Sequence, residues 1–167
     1  MTSRQATLVL VAEDEENLAY IAERQLTSLG CHVEQAGNGL VAIEKARIKR
    51  YDLILMDVMM PELDGLEATQ QIRRDRTAPN SMTPIIAMTA FADRQKCIDA
   101  GMNDFLLKPV MLKPIKQVFQ KWLPDIILEP SAPDDSEPML DLSFKKTRNN
   151  LAAIDDRIKQ LRQRFKL

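Results

Sequence analysis

Long apolar runs are missing from this chain, and so is any excess of charge. No stretch approaches the ~20 apolar residues that a membrane helix needs, and the N-terminus, Met1-Thr-Ser-Arg-Gln-Ala, has no apolar signal core. Cytoplasmic residence with no membrane partner is the expectation. Basic residues number 23 and acidic residues 24, which leaves a net charge of -1; no global field draws the chain to nucleic acid. The two cysteines, Cys31 and Cys97, have neither metal-ligand nor redox spacing, so both are read as small apolar packing residues. The single histidine, His32, stands beside Cys31 at a strand start and is read as a solvent-facing strand residue.

What the chain does have is a set of four short apolar runs that end in chemistry. Residues 8–12 lead into Glu13-Asp14, and 53–56 into Asp57. Residues 85–88 lead into Thr89, and 105–107 into Lys108-Pro109. Between them lie stretches of helical periodicity. Positions 15–29 place Leu18, Ile21, Ala22, Leu26 and Leu29 at helical spacing, with Gly30 at the expected C-cap. Gly37-Asn38-Gly39 is a turn signal, and 40–49 a helix with Val41, Ile43, Ala46 and Ile48 as its apolar contacts. Residues 65–74 and 93–100 read as helices, 76–83 as a polar loop, and 112–122 as a last helix burying Ile115, Val118, Phe119 and Trp122. With a further strand at 31–36, five strands alternate with five helices.

Continuous rather than alternating apolar strands imply a parallel sheet covered on both faces. Right-handed crossovers make it doubly wound. Ligands then bind beyond the carboxyl ends of the strands, where strand order reverses. All four run ends would meet along that edge. Glu13, Asp14 and Asp57 can supply the protein's share of a magnesium shell, which takes oxygen ligands and keeps several waters. Asp57 is the best candidate phosphoryl acceptor, because its strand is central and the loop after it can wrap an incoming group. The backbone carbonyl of Met59 adds a neutral metal ligand. Lys108, a compact cation, and the Thr89 hydroxyl can cover phosphoryl oxygens that the metal does not.

Glu13-Asp14, then Asp57 followed by Met60-Pro61-Glu62-Leu63-Asp64-Gly65, then Met88-Thr89-Ala90, then Lys108-Pro109, resembles a response-regulator receiver domain over roughly residues 7–123. The segment from Cys97 through Ile98-Asp99-Ala100-Gly101-Met102-Asn103-Asp104-Phe105 is similar to receivers of hybrid histidine kinases. The resemblance implies a flavodoxin-like (βα)5 doubly wound parallel sheet and a phosphorelay switch that is not itself an enzyme. It implies Asp57 as phosphoacceptor, and Glu13, Asp14 and the Met59 carbonyl as Mg2+ ligands. Thr89 becomes the switch hydroxyl, Lys108 the phosphate-binding lysine, and Phe105 the switch aromatic, lacking a hydroxyl here. Met59 and Phe91, two residues after the acceptor and two after the threonine, would set phosphoryl lifetime. The chain has no suitable phosphohistidine of its own, so a histidine kinase or histidine phosphotransfer protein is the implied donor.

The expected organisation is a receiver domain at 1–124, a Pro/acid-rich linker at 125–141 and an amphipathic basic helix at 142–167. That helix carries Phe144, Leu151, Ile154, Ile158, Leu161 and Phe165 on one stripe, interrupted at Thr147, and suits a homodimer or partner docking. Its ~26 residues are too few for a compact DNA-binding domain. Two rival readings are a phosphorylation-independent binding or dimerisation module and an aspartyl-phosphate phosphohydrolase of the haloacid-dehalogenase type. The hydrolase wants a second acid two residues after its nucleophile, and Met59 occupies that position.

Overall fold

The computed structural model of the chain describes residues 6–90, 94–126 and 128. Phe91, nearly all of the expected linker and the whole of 142–167 lie outside the described residues. The strands are β1 (Leu8–Ala12), β2 (His32–Ala36), β3 (Leu53–Asp57), β4 (Ile85–Thr89) and β5 (Asp104–Leu107). The helices between and after them are α1 (Glu16–Thr27), α2 (Gly39–Ile48), α3 (Gly65–Arg74), α4 (Arg94–Asp99) and α5 (Leu112–Trp122). All strand pairs are parallel, in the order β2-β1-β3-β4-β5. This is the flavodoxin-like order, with β3 in the middle and the reversal of strand order between β1 and β3.

Period-two alternation in the strands builds two cores from one sheet. Leu10, Ala12, Ile54, Met56, Ile85 and Ala87 share a cluster with Ala42, Ile43 and Ala46 of α2 and Ala68 and Ile72 of α3. Val9, Val11, Leu53, Leu55, Ile86, Met88 and Leu106 face the other way, onto Ala22 and Leu26 of α1 and Ile115, Val118 and Phe119 of α5. Burial on both faces is why the strands read as unbroken apolar runs. Both cysteines are buried and neither is in a disulfide, and His32 is exposed. Gly30 ends the α1 region at φ 80°, in the left-handed conformation that glycine adopts without penalty. Among the described residues, no helix is long and apolar enough to cross a membrane.

Two details differ from the sequence expectation. Ile48 does not contribute to the α2 contacts; it is 85% exposed. The buried face of α2 runs through Ala42, Ile43 and Ala46, and position 48 falls on the far side of that stripe at 100° per residue. The loop at 76–83 is polar but not solvated throughout, because Asn80 is fully buried. Its side-chain oxygen accepts from the Tyr51 N–H (2.8 Å) and the Thr83 hydroxyl (3.0 Å). Its amide group donates to the carbonyls of Ala46 and Lys49, both at 2.6 Å. Asn80 thereby ties the end of α2 and the start of β3 to the loop before β4. Arg73 braces the same end of the sheet, donating to the carbonyls of Asn80, Ser81, Thr83 and Gly101 and to the Asn103 side chain.

Candidate functional site

The carboxyl ends of β1, β3, β4 and β5 bring the sequence-singled residues together. β1 runs on into Glu13, whose N–H donates to the Ala36 carbonyl of β2 at 2.9 Å. Asp57 is the last residue of β3, paired with Met88, so Thr89 ends the adjacent strand. The Lys108 N–H donates to the Thr89 carbonyl at 3.0 Å, which ties the end of β5 to that of β4. Glu13, Asp57 and Thr89 are buried, whereas Asp14 is exposed at the mouth of the site. The Lys108–Pro109 peptide bond is cis.

Lys108 is the electrostatic centre. Its Nζ stands 2.6 Å from Glu13 Oε2 and 2.7 Å from Asp57 Oδ2. Burial works against its charge, but the bonds to Asp57 and Glu13 outweigh this and push its pKa up. Burial, reinforced by the charge of Asp57, pushes the Glu13 carboxyl up to about 7 against the opposing pull of Lys108. One ammonium serves two buried acids, with Asp14 beside them at the mouth, so acids outnumber cations in a partly desolvated cleft.

Glu13, Asp14 and Asp57 each offer a carboxylate oxygen, and these atoms lie within 4.8 Å of one another. An all-oxygen, anionic donor set open on one side fits a hard divalent cation such as Mg2+. Lys108, bridging two of the three, already answers part of the demand for positive charge. The Met59 N–H donates to Asp57 Oδ1 at 3.1 Å, which orients the acceptor carboxylate, while the Met59 side chain is 77% exposed. Phe105 is half-buried on the α2–α3 face of the sheet, and the Arg94 guanidinium lies 5.6 Å over its ring.

Asp64 and Gly65 entered the sequence reading only as part of the motif string after Asp57, with no role of their own. Gly65 packs so close to Asp57 that a Cβ there would stand 1.9 Å from the Asp57 carbonyl oxygen. Its N–H donates to the Val58 carbonyl at 3.1 Å. Asp64 caps α3 by accepting from the Glu67 N–H at 2.8 Å. The Pro-Glu-Leu-Asp-Gly string signalled a loop, but not this contact.

Comparison with known proteins agrees with the geometry. The model of the response regulator receiver domain family matches residues 9–120. The hybrid signal transduction histidine kinase G of Dictyostelium discoideum is 40% identical over 129 residues, covering 74% of this chain but only 4% of that protein. The receiver domain of the sensor histidine kinase PA1611 from Pseudomonas aeruginosa, solved with a magnesium ion coordinated in its active site cleft, is 37% identical. It superposes with a TM-score of 0.66, covering 72% of this chain and 99% of that one. A structure of the Saccharomyces cerevisiae histidine phosphotransfer protein Ypd1 with the receiver domain of its downstream response regulator Ssk1 matches at 29% identity and TM-score 0.64, covering 70% of this chain and 88% of that one. The family match spans the doubly wound sheet and takes in Glu13, Asp14, Asp57, Thr89 and Lys108 at its carboxyl edge, and the chain belongs to the response regulator receiver domain family.

Proposed function

We propose that this chain is a phosphorylation-activated signalling switch of a two-component phosphorelay, taking a phosphoryl group on Asp57 from a phosphohistidine donor in the presence of Mg2+. The observation that carries the reading is the position of Lys108, bridging Glu13 and Asp57 at the carboxyl edge of the sheet. An Asp57 carboxylate oxygen attacks phosphorus as the P–N bond of the donor breaks. The imidazole nitrogen keeps the electron pair, and an aspartyl phosphate results. Glu13, Asp14, Asp57 and the Met59 carbonyl would hold the magnesium ion, which would supply positive charge to the transferring oxygens. Lys108 turns from the free Asp57 carboxylate to the phosphoryl group that replaces it. Thr89 donates its hydroxyl to a remaining oxygen, and the half-buried Phe105 repacks behind it. Met59 and Phe91 set how fast water reaches the phosphoryl group.

The donor is a histidine kinase or a histidine phosphotransfer protein, as in the Ypd1–Ssk1 pair. The domain extends over 1–124, and output passes through its surface or through 142–167, by docking to a partner or by homodimerisation. Cytoplasmic residence belongs to the same reading. A hydrolase is disfavoured because the position two residues after Asp57 is Met59, which has no proton to give.

Incubation with acetyl phosphate and Mg2+, followed by intact mass measurement, tests the reading. One phosphate adduct, dependent on Mg2+ and absent in Asp57→Asn, is the expected result. No adduct in the wild type points to a phosphorylation-independent binding module, and multiple turnover of a phosphate ester points to the hydrolase. Light scattering with and without phosphorylation, on the full chain and on a version ending near 124, tests the role of the C-terminal segment.

A further inference from the structure

The loop that carries Met59 rests on a second loop that neither the motif pattern nor the chemistry above involves. Gly39, the first residue of α2, is buried. A Cβ on it would stand 2.4 Å from the Leu63 carbonyl oxygen, 3.1 Å from the Leu63 carbonyl carbon and 3.2 Å from its Cβ. The start of α2 therefore lies directly on the backbone of loop 58–64. In that loop the Leu63 N–H donates to the Pro61 carbonyl at 2.8 Å across Glu62, which has φ 66°. Such a three-residue turn is rare for a residue with a side chain, and it persists only where its surroundings hold it. Gly39 abuts Leu63, the Asn38 amide nitrogen lies 3.4 Å from Glu62 Oε1, and the Gly65 N–H closes the loop onto Val58. Asn38 also accepts from the Val41 N–H at 2.9 Å, so the residue that reaches toward Glu62 is the N-cap of α2.

We propose that the Asn38–Gly39 turn is a positioning element for the metal site. By pressing on Glu62 and Leu63 it fixes the loop that presents the Met59 carbonyl beside Asp57. The inference rests on the metal-site reading given above and adds residues outside it. The side-chain bonds of Asn38 run to Glu62 and Val41, and Gly39 packs on Leu63, not on Glu13, Asp14 or Asp57. Asn38 and Gly39 act through the Glu62 turn, and a change there alters cation affinity rather than only the stability of α2. Gly37, two residues earlier, provides the internal contrast, because a Cβ on it would meet nothing within 4 Å.

The test compares Gly37→Ala, Gly39→Ala and Asn38→Ser with the wild type, reading Mg2+ affinity by titration calorimetry well below the unfolding transition. Gly39→Ala is expected to weaken Mg2+ binding by about 10-fold or more, the usual effect of losing a residue that orients metal ligands. Gly37→Ala leaves affinity unchanged. Asn38→Ser keeps a capping oxygen for Val41 but loses the amide facing Glu62, and weakens binding by a smaller factor. A Gly39→Ala protein that loses thermal stability yet binds Mg2+ like the wild type overturns the proposal. If Gly39→Ala does not fold, Asn38→Ser decides: wild-type affinity there overturns the proposal and a measurable loss supports it. A wild-type chain that binds no Mg2+ refutes the metal-site reading itself, a result distinct from failure of the positioning role.

Discussion

Replacing Lys108 with methionine should destabilise the metal-free protein strongly and yet improve its grip on Mg2+. The ammonium lies 2.6 Å from Glu13 and 2.7 Å from Asp57. At an effective dielectric of about 20, each contact carries roughly 6 kcal/mol of gross attraction, most of it offset by desolvation of the three charges. Methionine fills much of the lysine's volume, so packing changes little. What remains is two carboxylates, 4% and 3% exposed, with no cation between them. Breaking a buried pair from one side costs about 3–5 kcal/mol, a large share of the ~5–15 kcal/mol that holds a domain folded. Magnesium restores the missing charge at the same carboxylates, and the lysine no longer competes for them. At a concentration 100 times its Kd, a bound ion stabilises either protein by about 2.7 kcal/mol, so the gap between them narrows only through the difference in Kd. Urea unfolding of wild type and Lys108→Met in EDTA and in saturating Mg2+ reads the difference directly. The deficit should be about 3–5 kcal/mol in EDTA and smaller in saturating Mg2+, by about 1.4 kcal/mol for each tenfold by which the variant binds the ion more tightly, and calorimetry should give the variant the tighter Mg2+ Kd. An equal deficit under both conditions, or weaker Mg2+ binding by the variant, would refute the account of Lys108 as a resident counter-cation.

Other residues give separable expectations. Asn80→Ala leaves the Tyr51 N–H and the Ala46 and Lys49 carbonyls short of partners and should cost about 3 kcal/mol or more in urea unfolding. Its Mg2+ affinity should not change, because the network lies at the opposite end of the sheet. Asp104 accepts from Lys121 Nζ, Trp122 Nε1 and the Phe105 N–H. Burial opposes ionisation of its carboxyl, but these bonds outweigh it and hold the pKa below 3.8. A lowered folded-state pKa gives stability that is present above the unfolded value and lost as pH falls through the folded one. Asp104→Asn should therefore cost about 1 kcal/mol at neutral pH and flatten the acid limb of the stability profile below pH 3.8. In Met59→Asn, the phosphorylated protein should lose its phosphate faster than wild type, followed by intact mass over time; equal or slower decay would remove Met59 from any role in phosphoryl lifetime.

The sequence alone determined the layers, the alternation and the chemistry. Residues 53–56 are buried on both faces, so a continuous apolar run was legible as a central parallel strand, and the residue ending it had to stand at the sheet's carboxyl edge. The same logic located Glu13, Thr89 and Lys108, because strand termini in a parallel sheet converge whatever the details of the helices between them. Ile48 misled for the converse reason: a ten-residue helix with several apolar faces does not declare which of them the sheet will cover. Asn80 was hidden in a run of polar residues, since composition cannot tell a solvated amide from one buried against the end of another helix.

Only tertiary structure decided that Lys108 bridges Glu13 and Asp57, for that contact joins a lysine to acids 95 and 51 positions away along the chain and depends on ångström-scale register. It also decided that Gly39 bears on Leu63 and Gly65 on Asp57. A glycine required by a turn and a glycine required by close approach of another backbone look the same in a sequence. What distinguishes them is the atom that lies across the gap, and the chain brings that atom there only when it folds.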